Sequence, residues 1–168
     1  MKWSNTVLSA AALGLLALGL ASTPAFAGSP ASQTFTVQVL VSPNCSLTTS
    51  SLTFPTYSGL AITGSSAGIA VNCTIGTPYN IGLDGGSSGT GTEGGTLYMV
   101  SGPNKVSYKL FQDSSDTKPW GTEIGTNTVA STGTGASQTA LPVYGTIAAG
   151  QAVIAGTYND TVTANVYF

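Results

Sequence analysis

The chain has 168 residues, of which only 6% are charged, with four lysines against six acidic side chains and no histidine. Because there are so few lysines, they form no cluster that could follow a phosphate backbone. The composition therefore argues against binding to nucleic acid. Without histidine, the Ser-His-Asp and Cys-His arrangements of hydrolases are excluded, and two cysteines alone do not make a zinc site. We therefore predict no enzymatic activity, no catalytic residues, no metal site and no cofactor. The low charge favours a surface that is covered by copies or partners, although a secreted domain that is simply poor in charge remains an alternative.

The first 27 residues have the pattern of a secretory signal peptide. Lys2 precedes an apolar run at residues 7–20, and Ala25-Phe26-Ala27 supplies the small residues of a cleavage site. We predict cleavage after Ala27 and export of the chain. Residues 28–168 are then long enough to form one domain with a core of its own.

The N-terminal part of the mature chain contains a pronounced strand pattern at residues 33–41. Apolar and polar side chains alternate there, which is the period of a strand. Ser42-Pro43-Asn44 then breaks the pattern. We therefore divide the mature chain into an N-terminal segment, residues 28–41, and a domain, residues 42–168. The apolar row of the segment consists of Phe35, Val37, Val39 and Val41.

The two cysteines, Cys45 and Cys73, predict one disulfide. Their number is even and the chain carries an export signal, which is the setting in which disulfides form and persist. In the chain-entropy model, closing a loop of about 29 residues stabilises the fold by roughly 3 kcal/mol.

Short alternating stretches separated by glycine-rich and proline-containing turns continue through the domain. They predict an all-β sandwich, because no window after residue 27 has a helical period. The glycine-rich stretches at residues 85–95 and 126–139 are predicted to be loops. The predicted strands lie around residues 52–54, 69–73, 79–83, 97–100, 106–111, 141–144 and 152–154.

The end of the sequence is another half-buried strand. Its apolar row alternates with Thr161, Thr163, Asn165 and Tyr167 and continues to the last residue printed. Such a strand needs a neighbour, supplied either by its own chain or by another one, and an unpaired apolar edge is a site for strand addition. The row consists of Val162, Ala164, Val166 and Phe168.

Three other kinds of site are conceivable in this sequence, each with a simple structural alternative. Asp84 and Glu93 flank a glycine-rich loop and could form a glycosidase-like pair, but loop carboxylates more often cap turns. Asp113 and Asp116 are too few to be good evidence for calcium. Trp120 and the tyrosines could form a carbohydrate-binding platform, although aromatic side chains in a sandwich are more often core.

Several segments together resemble the spore coat protein U domain, a family that includes subunits of archaic chaperone-usher pili. The resemblance covers nearly the whole mature chain, and the combination is specific although each segment alone is weak. The segments are Cys45, Leu52-Thr53-Phe54, the run from Ile69 to Thr74, Pro78-Tyr79, the run from Val106 to Asp113, Trp120-Gly121, Val143-Tyr144-Gly145 and the run from Gly156 to Val162.

The resemblance implies an incomplete immunoglobulin-like β-sandwich that is completed by a donor strand. It implies that Phe35, Val37, Val39 and Val41 are the donor residues and that Val162, Ala164, Val166 and Phe168 border the acceptor groove. A periplasmic chaperone would fill the groove first, with the carboxylate of Phe168 as an anchor, and the next subunit would replace it. The implied partners are copies of the chain or related pilus subunits, the chaperone and an outer-membrane usher.

The expected function is therefore that of a structural subunit of an extracellular fibre or coat, exported through the periplasm to the cell surface and supporting adhesion and biofilm formation. A carbohydrate-binding or coat module that does not polymerise is the alternative. Residues 33–41 could also pair within their own domain instead of with a neighbour.

Overall fold

The computed structural model describes residues 28–135 and 139–168, so the predicted signal peptide lies outside the described residues. Within the described ranges the fold is all-β, as predicted. These ranges include no helical segment with the length and hydropathy of a membrane span. The strands are β1 (Cys45–Thr49), β2 (Ile62–Cys73), β3 (Pro78–Leu83), β4 (Leu97–Ser101), β5 (Asn104–Phe111), β6 (Val129–Thr132), β7 (Thr139–Ile147) and β8 (Ala164–Tyr167).

The strands form two antiparallel sheets. The larger sheet has the order β1-β2-β7-β5-β4, and the smaller has the order β6-β3-β8. In the described part of the chain, β1 and β8 are therefore edge strands, each hydrogen-bonded to a neighbour on one side only. The two edges approach within 8 Å between Cα atoms without forming a ladder.

The core lies between the two sheets and follows the alternation of the sequence. Ile69, Val71 and Cys73 of β2 face Tyr79, Ile81 and Leu83 of β3, and each of these six side chains is at most 4% exposed. Successive strand side chains point to opposite faces, so every second residue of these strands is buried. Trp120 completes the core, and its indole N–H donates to the carbonyl oxygen of Ile81 at 2.9 Å.

The predicted disulfide between Cys45 and Cys73 is confirmed. The two residues lie opposite each other in the β1–β2 ladder, with 4.1 Å between their Cα atoms. The bond ties the start of the edge strand β1 to the interior of the larger sheet. We call this end of the sandwich the disulfide end. The last residues of β8 lie on the same side, because Tyr167 pairs with Asn80 near the start of β3.

Some strand boundaries differ from those expected. Residues 52–54 and 152–154 are not strands, whereas β1 and β6 are strands in stretches where none was predicted. The short β6 sequence, two apolar residues followed by two polar ones, has no apolar-polar alternation, and its conformation depends on pairing with β3. These residues form a strand because the fold places a pairing partner beside them, and the local sequence pattern gives no information about that partner.

Residues 28–44 contain no strand, although residues 33–41 have a strong strand pattern. Phe35 is 87% exposed and Val39 is 86% exposed, so the apolar row lies largely on the surface. The chain divides into two units between Val39 and Leu40. The pattern thus indicates a segment that is suited to pairing but is unpaired in this structure.

Candidate functional site

An open groove lies between the two sheets, beyond the point where β1 and β8 approach each other. Its cavity has a volume of about 410 Å³. The floor is apolar and includes Ile69, Leu83, Leu110 and Val143 from both sheets. Residues 49–52 together with Phe54 form one wall, and residues 158–162 together with Ala164 form the other.

The first wall follows β1 as an extended but unpaired stretch. Among the described residues, no backbone hydrogen bond joins residues 51–56 to another segment. Leu52 and Phe54 point inward and pack over Gly145, where an added Cβ would lie 2.7 Å from Phe54 Cζ. The Phe54 ring also meets the Tyr108 ring edge-on, with 6.1 Å between centroids. Side chains therefore hold residues 51–54 of this wall in place, and the backbone donors and acceptors of these residues stay available.

The second wall leads into β8. Its backbone pairs with β4 at Asn159, which exchanges two hydrogen bonds with Val100, and with the β3 side at Thr161 and Thr163. Asp84 N–H donates to the Thr163 carbonyl at 3.1 Å, and Ser87 N–H donates to the Thr161 carbonyl at 2.9 Å. Backbone groups of successive residues in an antiparallel strand point to opposite sides. Val162 and Ala164 consequently direct both their side chains and their free backbone groups toward the groove. The groove is thus bordered on both sides by strand edges that can accept one more strand.

A carboxylate fixes the second wall to the rest of the domain. Asp160 accepts hydrogen bonds from Ser87 N–H at 2.8 Å, Ser87 Oγ at 2.9 Å and the Tyr108 hydroxyl at 2.8 Å. An added Cβ on Gly86, which has φ of 75°, would overlap the Asp160 carboxylate, so this turn requires glycine. The cluster positions the backbone on either side of Asp160, including Val162.

Asp84 fixes the same wall from the turn that follows β3. Its Oδ1 accepts from Thr163 N–H at 2.9 Å and from Gly86 N–H at 3.0 Å. Burial alone would raise the pKa of the Asp84 carboxyl, but the hydrogen bonds from Thr163 and Gly86 favour the ionised form, so that the pKa lies below its ordinary value. This stabilisation is present at neutral pH and is lost as the pH falls through the lowered pKa.

The Tyr108 hydroxyl gives a testable pH dependence. Burial, followed by the hydrogen bond to Asp160 and its negative charge, raises the pKa of Tyr108 far above 10. Because the pKa is higher in the folded than in the unfolded state, the protonated hydroxyl contributes its full stabilisation below about pH 10. This contribution declines as the pH rises further. We expect Tyr108→Phe to lower the free energy of unfolding at pH 7 by about 1.5 to 3 kcal/mol, because it removes a hydrogen bond to a charged group. The variant should also lose less stability than the wild type between pH 10 and 11. Urea unfolding followed by Trp120 fluorescence at pH 7, 10 and 11 measures these differences.

Tyr158→Phe is the matched control, because the Tyr158 hydroxyl donates to a neutral acceptor, the Ile154 carbonyl, at 2.9 Å. Its removal should lower the free energy of unfolding by only about 1 kcal/mol. Equal losses in the two variants, or an alkaline dependence of Tyr108→Phe identical to that of the wild type, would contradict the role assigned to the Tyr108–Asp160 bond.

The residues predicted for the groove are brought together only in part. Val162 and Ala164 line the cavity, and Val166 packs half-buried against the core closer to the disulfide end. Phe168 lies beyond β8 and is 59% exposed. The roles of these four residues in accepting a strand, and of residues 35–41 in donating one, stay predictions.

Sequence reasoning did not assign Leu52, Phe54, Tyr108 or Asp160 to the groove. The signal was present, because all four belong to the segments that resemble the spore coat family. Those segments are far apart in the sequence, so only the tertiary structure shows that they meet at one groove.

The other candidate sites have structural explanations in the described residues. Trp120 is 2% exposed, so it is not available as a surface platform for carbohydrate. Glu93 accepts a hydrogen bond from Thr122, and Asp113 accepts from the backbone and hydroxyl of Thr117. No group of three or more Cys, Asp or Glu side chains within residues 28–135 and 139–168 is placed to hold a metal ion.

The fold and the groove define an all-β, immunoglobulin-like sandwich. The Spore Coat Protein U domain model matches residues 31–165, and the chain belongs to that family. Among curated proteins, none matches the chain.

Solved structures of pilus proteins are similar to this fold. One is a chain of the CsuC-CsuE chaperone-tip adhesion subunit pre-assembly complex from the archaic chaperone-usher Csu pili of Acinetobacter baumannii, with 27% identity and a TM-score of 0.51. That similarity covers 76% of this chain but only 40% of the other. The E. coli Hda pilus minor tip subunit HdaB is more distant, with 14% identity, a TM-score of 0.35 and coverage of 73% of this chain and 79% of the other.

Proposed function

We propose that this protein is a structural subunit of an extracellular fibre that assembles by donor-strand complementation. The observation that carries the proposal is the groove, whose two walls both have free backbone edges above an apolar floor. A strand inserted there gains main-chain hydrogen bonds on both sides and buries every second side chain. The exposed row of residues 35–41 has the apolar alternation that such a strand requires.

The donor comes from a second copy rather than from the same domain. Only residues 42–44 separate Val41 from Cys45, and Asn44 is held at the disulfide end by a hydrogen bond of 2.9 Å from Thr74 N–H to its carbonyl. In the neighbouring subunit, too, only residues 42–44 separate the donor segment from the domain, so that domain lies at the end of the groove where its segment enters. Since the disulfide end already carries the acceptor's own N-terminal connection, the neighbour docks at the opposite end. Its segment then runs antiparallel to β8, and each subunit donates once and accepts once, which generates an open filament.

A periplasmic chaperone is the proposed first occupant of the groove, since an open apolar groove is a liability for a free subunit. The similarity to a chaperone-subunit complex of Csu pili supports this step. Passage through an outer-membrane usher, a location on the cell surface and a contribution to adhesion and biofilm formation complete the proposal. They are supported by the family and by the pilus system of that relative.

The oligomeric state of the purified mature chain tests the proposal. We expect fibres in electron micrographs and a ladder of bands on unheated SDS gels that collapses to one band after heating, because separating subunits requires withdrawal of a whole strand. A soluble monomer that unfolds cooperatively, with no exchanged or self-inserted strand, would overturn the incomplete-fold interpretation.

A further inference from the structure

Another cavity lies on the outward face of the larger sheet, on the side away from the core. Its volume is about 500 Å³, which is within the range of about 300 to 1,000 Å³ that small-molecule sites occupy. Tyr108 is the single residue that lines both this cavity and the groove, and its side chain belongs to the core. A strand inserted in the groove therefore leaves the outward cavity open.

Adjacent strands place hydroxyl groups and one ammonium group in a row across this cavity. Lys109 of β5 pairs with Thr146 of β7, and each has buried neighbours before and after it in its strand, so both side chains point outward. Thr63 of β2 and Thr96, which immediately precedes β4, line the cavity on either side of this pair. Because neighbouring strands are about 4.8 Å apart, the four side chains lie close enough to contact one small ligand.

The loop that follows β5 brings a carboxylate to the row. Gln112 N–H donates to the Lys118 carbonyl at 2.9 Å and closes this loop. Asp116 lines the cavity and has φ of 57°, a left-handed conformation that aspartate and asparagine adopt more readily than most residues. Phe111 supplies apolar surface to the lining.

The two charged side chains of the cavity have no partners within residues 28–135 and 139–168. Neither the Lys109 ammonium nor the Asp116 carboxylate makes a hydrogen bond or an ion pair with a described residue. Lys105, on the same strand as Lys109, is different, because its ammonium donates to the Thr90 hydroxyl at 2.9 Å and lies over the Tyr98 ring, 5.6 Å from the centroid. A charged donor and a charged acceptor are thus both available in one cavity.

The chemistry of these groups fits a neutral ligand with several hydroxyl groups. An ammonium group only donates, a carboxylate only accepts, and a threonine hydroxyl does both, so a polyol can satisfy all of them. An anion would be repelled by Asp116, and a cation by Lys109. An apolar ligand would remove water from the charged groups without replacing its hydrogen bonds.

We propose that this cavity binds a neutral saccharide, with Lys109 donating to one sugar hydroxyl and Asp116 accepting from another. Phe111 offers apolar surface to the C–H groups of the sugar ring. The site itself does not depend on the proposed function. If the chain forms fibres, each fibre carries one such site per subunit, and weak sites on one fibre then bind a glycan surface with avidity.

Saturation-transfer difference NMR on the purified mature chain tests the site, because it detects weak ligands of monomers and of fibres. The probes are glucose, galactose, mannose and N-acetylglucosamine, each titrated alone. We expect saturation transfer to at least one of them. Lys109→Met keeps the length of the side chain without its charge, and Asp116→Asn suits the same backbone conformation. Each variant should raise the dissociation constant of that sugar about tenfold or more, because each removes a hydrogen bond to a charged group.

Lys105→Met is the matched control, since Lys105 lies on the same strand but does not line the cavity, and it should leave binding unchanged. If circular dichroism shows that Lys109→Met or Asp116→Asn does not fold, the other variant carries the test. The proposal is overturned if no probe shows saturation transfer, if neither cavity variant weakens binding, or if Lys105→Met weakens it equally. Tighter binding of inorganic phosphate than of any of the sugars would indicate an anion site and would also overturn it. None of these outcomes bears on the groove, which the oligomeric state tests separately.

Discussion

Val39→Asp is expected to abolish fibre formation while leaving the subunit folded. In the donor role, Val39 faces the apolar floor of the groove, so the substitution replaces an apolar contact with an unpaired carboxylate. Burying a valine side chain contributes roughly 1.5 to 3 kcal/mol, and burying an unpaired charge costs several kcal/mol more. The domain's own groove is unchanged, so the variant should still form the complex with a co-expressed chaperone. Counting fibres by electron microscopy and recovering the chaperone complex by pull-down measure both outcomes.

Gln38→Asp is the matched control for this prediction. It introduces the same charge one residue away, on the polar row that faces away from the groove when residues 35–41 are inserted. Fibres should persist in this variant. Normal fibres from Val39→Asp would falsify the donor role of the segment, and loss of the chaperone complex in Val39→Asp would place the segment in the core of its own domain.

Val162→Asp is expected to block the acceptor side with an effect of similar size. Val162 is half-buried in the wall of the groove, so a carboxylate there stays hydrated while the groove is empty and loses its water when a donor strand covers it. The variant should refold but, when diluted from denaturant with an excess of a fluorescein-labelled peptide of residues 28–41, should retain at least a hundredfold less peptide than the wild type on unheated SDS gels. Val162→Thr has nearly the same shape without the charge, and its uptake should fall much less.

A mixture of the two variants tests the direction of assembly. The Val39→Asp chain keeps an intact groove and the Val162→Asp chain keeps an intact N-terminal segment, so one competent interface remains between them. We expect SDS-resistant dimers from the mixture and none from either variant alone. Longer oligomers in the mixture, or dimers in a single variant, would be inconsistent with head-to-tail contacts in which each subunit donates once and accepts once.

The sequence by itself determined the all-β class, because alternation with period two recurs between glycine and proline turns. It also determined the pairing of Cys45 with Cys73, since an exported chain with two cysteines has one intrachain choice. The apolar rows at residues 35–41 and 162–168 were equally visible, since alternation is a local property that needs no knowledge of neighbours. What a row of this kind pairs with is not contained in its pattern.

Only the tertiary structure decided which rows find a partner within the described chain. The row of residues 35–41 stays exposed, whereas the weakly patterned β6 becomes a strand because β3 offers it an edge. The groove itself depends on contacts between residues far apart in sequence, such as Phe54 with Gly145 and Tyr108 with Asp160. Side-chain packing and hydrogen bonds at such separations arise from the arrangement of the two sheets, so no local pattern could have located the walls of the groove or the cavity between them.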